Sequence, residues 1–126
     1  MNRLFGAFAV LLAVIITVAS GFFINTNTAQ AVNENLSLSM KYAENGDIRN
    51  ARLSLEKALK KWDDNMQTML LFISHGRLDE IEQTINTAYS YIKNSNITMY
   101  SAECTRAYLL IENFKNVEFP SINNIF

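Results

Sequence analysis

Cysteine, proline and histidine each occur once in this 126-residue chain, at Cys104, Pro120 and His75. A lone cysteine excludes an intramolecular disulfide, and its place in a helical pattern marks it as a small buried hydrophobe rather than a reactive thiol. A lone histidine excludes HExxH and other histidine-rich metal sites. Glycine is scarce too: of four, only Gly46 and Gly76 lie beyond residue 24. None sits in a phosphate-cradling loop, and the chain has no GxSxG elbow and no CxxC pair. Neither sign of charge dominates, with 11 basic against 12 acidic side chains, and no basic cluster resembles a nucleic-acid footprint. Nothing here argues for an enzyme, a metal, a cofactor or a nucleic-acid partner. So few breakers make long helices the default.

What the chain does have is a run of 21 residues, Leu4 to Ile24, without one charged side chain. At about 1.5 Å per residue it makes a helix of roughly 31 Å, the thickness of a bilayer's hydrocarbon core at roughly 30 Å. Thr17 and Ser20, its most polar residues, can bond their hydroxyls to a carbonyl one turn back, so neither opposes burial in lipid. Arg3 precedes the run and the next basic residue is Lys41. The positive-inside bias therefore puts the N-terminus in the cytoplasm and the rest outside, as a single-pass signal anchor over residues 1–24. Ala29-Gln30-Ala31 offers an alternative, because small residues two apart are what signal peptidase reads. Cleavage after Ala31 would release a secreted helical binding protein. Ala9 and Ala13 form a small-xxx-small pair through which the helix could pair in lipid, making a homo-oligomer one expected partner class.

Residues 25–31 (NTNTAQA) are polar and unpatterned and read as a juxtamembrane linker. Residues 32–126 then read as an extracytoplasmic helical domain. A first helix covers about 32–44, with Leu36, Met40 and Ala43 on one face. Asn45-Gly46-Asp47 stops it and caps the next. The second helix, about 48–74, carries Ile48, Ala51, Leu55, Ala58, Leu59, Trp62, Met66, Met69, Leu70 and Ile73 at steps of three and four. Ser74-His75-Gly76 reads as the following turn. A third helix, about 78–93, points Leu78, Ile81, Ile85, Ala88 and Ile92 inward, with Asp79, Glu80 and Glu82 in its first turn, where the dipole favours them. The fourth starts near Asn96 or Thr98, which cap it, with Ala102, Thr105, Leu109 and Glu112 sharing a face. Val117, Phe119, Ile122, Ile125 and Phe126 form a tail too apolar to stay in water, expected to dock on the bundle. The fold class is all-α: an N-terminal transmembrane helix followed by an antiparallel bundle of three to four helices.

Trp62, mid-stripe, reads as the core's largest anchor. His75, with Asp79 four residues on and Glu82 seven on, could share a helical face with two carboxylates only if the helix ran through Gly76, a more natural stop. Asp63 and Asp64 are adjacent and point about 100° apart, so as a pair they cannot face one cavity for acid/base work.

The N-terminal apolar helix, the Trp62 helix running into FISHGRLDEIEQTI (Phe72 to Ile85), the acidic helix start and the closing SINNIF (Ser121 to Phe126) together resemble the domain-of-unknown-function family numbered 4363. That family comprises small membrane-associated proteins of Gram-positive, often spore-forming bacteria. The likeness spans nearly the whole chain and rests most on Trp62, His75, Asp79, Glu82, Asn124, Ile125 and Phe126. It implies no known activity, substrate or cofactor. It implies a multi-pass membrane protein as partner, a structural latch at Asn124-Ile125-Phe126, and His75 as the turn most worth testing. Gly76-Arg77 departs from the polar helix continuation expected after that histidine.

Overall fold

A computed structural model of the chain describes the backbone of residues 2–71 and 73–118, and the side chains within them except those at 21–25 and 114–118. Four helices follow one another: α1 Asn2–Glu44, α2 Ile48–Met69, α3 His75–Lys93 and α4 Ile97–Glu118. α1 has two halves of opposite character. Every side chain from Asn2 to Ser20 is exposed, and this stretch is long and apolar enough to cross a membrane. Thr17 donates to the Ala13 carbonyl at 2.8 Å, satisfying its hydroxyl within the helix. From Thr26 onward the same helix becomes the first member of an antiparallel four-helix bundle, in which α1 packs on α2 and α4, and α3 on α2 and α4.

The linker expected over 25–31 is corrected: these residues are helical, and Thr28 and Ala29 are already core. Asparagine and threonine are only moderate helix formers, but neither glycine nor proline interrupts the stretch, and extending an existing helix costs far less than starting one. Burial on α1 then falls at Thr28, Ala29, Val32, Asn33, Leu36, Ser39 and Ala43, the steps of three and four that one helical face requires.

Gly46, at φ +79°, ends α1 in the left-handed conformation, with Asp47 N–H bonded to the Tyr42 carbonyl at 2.9 Å. Asp47 caps α2, accepting from the Asn50 backbone N–H at 3.2 Å. α2 buries Ala51, Ser54, Leu55, Ala58, Trp62 and Met69. It ends at Met69, short of the expected 74, and α3 starts at His75 rather than 78. Gly76 is therefore helical, not a stop. At the second residue of a helix the backbone is less constrained than in the middle, so glycine's conformational-entropy penalty is smaller there. The shift moves Asp79, Glu80 and Glu82 out of the first turn, which holds no acidic residue.

α3 buries the expected Leu78, Ile81, Ile85, Ala88 and Ile92, with Thr84 added. Its end repeats the chemistry of the first turn without glycine: Ser95 takes φ 61° and the Asn96 N–H bonds to the Tyr91 carbonyl at 2.9 Å. Asn96 caps α4, accepting from Met99 N–H at 3.2 Å. The face expected for α4 is corrected. Tyr100, Cys104, Ala107 and Ile111 are fully buried, whereas Ala102, Thr105 and Leu109 are exposed. A small polar network selects that face. The Ser39 hydroxyl of α1 donates to the Ala51 carbonyl of α2 at 2.6 Å and is bonded to the Tyr100 hydroxyl of α4. Cys104 touches the same hydroxyl, and burial pushes its thiol up to about 12.

Candidate functional site

The residues singled out by sequence do not form one site. Trp62 lies at the centre of the core, fully buried, and its indole N–H has no hydrogen-bond partner among the described residues. His75 is the opposite case, with a side chain 70% exposed at the start of α3. Because the helix runs through Gly76, His75 Nδ1 meets Asp79 Oδ2 at 2.9 Å across one turn. Asn124, Ile125 and Phe126 lie outside the described residues, as does the docking expected of the tail.

Glu82 completes a different pairing. It faces Asp63 of α2, near enough for the two carboxyls to share a proton, and is close enough to Asp79 to feel its charge. Partial burial, then the shared hydrogen bond, then repulsion from Asp63 and Asp79 raise its carboxyl above the ordinary 4.5. Two carboxyls in such contact hold a proton between them more readily than either alone. Asp63 is exposed, so the pair lies open to solvent rather than facing a closed cavity of the kind acid/base chemistry uses. Among the described residues no group of His, Cys, Asp and Glu side chains is arranged to hold a metal ion. Sequence reading missed this pair because Asp63 was weighed only against its neighbour Asp64. No local pattern signals the partner, which depends on how α2 and α3 slide past each other.

A second feature is a groove of about 640 Å³ between α1 and α4, with Asn33, Ser37, Leu38, Lys41, Tyr108 and Glu112 on its walls. Asn33 is only 4% exposed and ties the two helices together, donating to Glu112 Oε1 at 2.9 Å and to the Tyr108 carbonyl at 3.4 Å. Its own Oδ1 is buried without a donor among the described residues. Leu38 and Leu109 are large apolar side chains left exposed on α1 and α4. The groove thus combines polar and charged walls with apolar side chains at and beside it.

On the outer faces, Tyr89 donates to Glu56 at 2.9 Å, and Glu56 also meets Arg52 at 3.9 Å. Arg106 bridges α4 to Glu80 of α3 at 3.4 Å. Exposed pairs like these contribute roughly 0–1 kcal/mol each and fix register more than stability.

No curated protein and no solved structure matches the chain. A family model described as a domain of unknown function, DUF4363, matches residues 21–125, which takes in the whole bundle and the last four residues of the apolar run. The chain belongs to the DUF4363 family.

Proposed function

We propose that this protein is a membrane-anchored module that holds a four-helix bundle at the outer face of the cell membrane and works by binding another protein there, without catalysing a reaction. One observation carries the reading: α1 is unbroken from Asn2 to Glu44, wholly uncovered over its apolar first part and buried in the bundle thereafter. Uncovered apolar surface on that scale calls for lipid or protein around it. The charge bias of Arg3 against Lys41 supports an outward bundle.

The same helix supports retention over release after Ala31. Thr28 and Ala29 are core residues, and Ala31 itself is helical, so a cut there would remove two buried positions and open the end of α1. The partner that suits the anchor is a multi-pass membrane protein, met by the α1/α4 groove or by Ala9 and Ala13 on the span, whose small side chains let another helix approach closely. A second copy of the chain could use the same alanines.

Fractionation, intact mass and crosslinking in native membranes test the proposal together. The expected result is full-length protein in the membrane fraction, crosslinked through bundle residues to an integral membrane protein. A mature mass starting at Val32, or full-length protein in the soluble fraction, would overturn it.

A further inference from the structure

We propose that the end of α2, at Leu71, is a second contact with the bilayer surface, so that the bundle sits on the membrane instead of standing clear of it. The proposal rests on α1 spanning the membrane. Its first support is register. Ser39 of α1 is bonded to the Ala51 carbonyl of the antiparallel α2. Twenty residues beyond Ala51, Leu71 stands level with about residue 19 of α1, twenty before Ser39. That level lies inside the apolar run, about five residues or roughly 7 Å short of its end at Ile24. Leu71 thus falls at the depth, roughly 5–10 Å into the headgroup boundary, that interfacial segments occupy.

The second support is composition. Leu71 is 77% exposed, more than Leu38, Leu53, Met99 or Leu109 on the bundle. It lies within the ten residues Asn65 to Ser74, which carry no Asp, Glu, Lys or Arg. The two turns at the opposite end are flanked closely on both sides by charge, at Lys41, Glu44, Asp47, Arg49 and Lys93, whereas here charge returns only on the α3 side, at Arg77, Asp79 and Glu80. An exposed leucine in an uncharged stretch occurs at the end where lipid is within reach. Arg77, exposed one turn into α3, can meet headgroup phosphates from the same side.

Spin labels on the full-length protein in vesicles of phosphatidylcholine and phosphatidylglycerol test this. Labels are placed singly through Leu71→Cys, Leu53→Cys and Leu11→Cys, with the native Cys104 buried and its thiol pushed up to about 12, so that it does not compete. Accessibility to oxygen relative to a water-soluble nickel complex reports depth. The expected order is lipid-like at 11, intermediate at 71 with at least a threefold higher ratio than at 53, and water-like at 53. A label at 71 as water-accessible as that at 53, with 11 lipid-like, overturns this contact and leaves the span standing. Water-like behaviour at 11 as well overturns the span, and the contact with it.

Discussion

Replacing Trp62 discriminates sharply between a core anchor and a surface platform. A buried tryptophan removes about 150–250 Å² from water, worth at most about 4–6 kcal/mol at about 25 cal/mol per Å². Trp62 is fully buried but its indole N–H lacks a partner, and leaving a donor unsatisfied costs about 1–3 kcal/mol. Trp62→Ala gives up the area and opens a cavity, and should cost about 3–4 kcal/mol, a large share of the roughly 5–15 kcal/mol that holds a small domain together. Trp62→Phe keeps most of the ring volume and discards the unsatisfied donor, so its cost should stay within about 1 kcal/mol. The assay is urea unfolding of the full-length protein in detergent, followed by far-UV circular dichroism. Equal costs for the two variants would mean that the N–H is doing something the packing does not reveal. A cost below about 1 kcal/mol for the alanine variant would refute Trp62 as the centre of the core.

Three further outcomes follow from features already described. Glu82 favours its protonated form in the fold, so its contribution to stability is present below pH 4.5 and is lost as pH rises through the raised value. Glu82→Gln should therefore be more stable than the native protein at pH 7, with the difference disappearing near pH 4, as urea midpoints at the two pH values will tell; no pH dependence in the difference would refute the raised carboxyl of Glu82. Tyr100→Phe should cost about 1–2 kcal/mol and Ser39→Ala more, since the serine alone bonds to both Ala51 and Tyr100; the reverse order in the same unfolding assay would break the proposed network. Ser95→Gly should stabilise by about 0.5–1 kcal/mol by relieving a left-handed serine, and a loss of stability would show that the hydroxyl matters there.

Where residues act on their own neighbours in sequence, the fold was legible. Asn45-Gly46-Asp47 announced a left-handed stop and a cap, and the stripes of α2 and α3 named their cores, because local geometry alone sets both. α4 was misread because its buried face holds a tyrosine and a cysteine, while Leu109 and Met99, the more apolar choices, are exposed. Inside the bundle the Tyr100 hydroxyl meets Ser39 of α1, itself bonded to the Ala51 carbonyl of α2, partners not visible from its own helix. The seven residues from Asn25 to Ala31 misled for another reason: polar composition suggested a tether, yet nothing in it stops a helix that has already begun. His75 and Asp79 were correctly spaced to meet, but whether they did depended on Gly76, which helix starts tolerate better than helix middles.

An unbroken α1 makes the membrane segment and the bundle one lever. About 30 Å of helix separates Ile24 from Glu44, so tilting the span by about 10° swings the far turn through about 5 Å. Each residue added between span and bundle would also rotate one against the other by about 100°. On the proposed membrane-anchored reading, the bundle's bearing is thus fixed by helical phase, and whatever turns or tilts the apolar segment moves the groove between α1 and α4 with it.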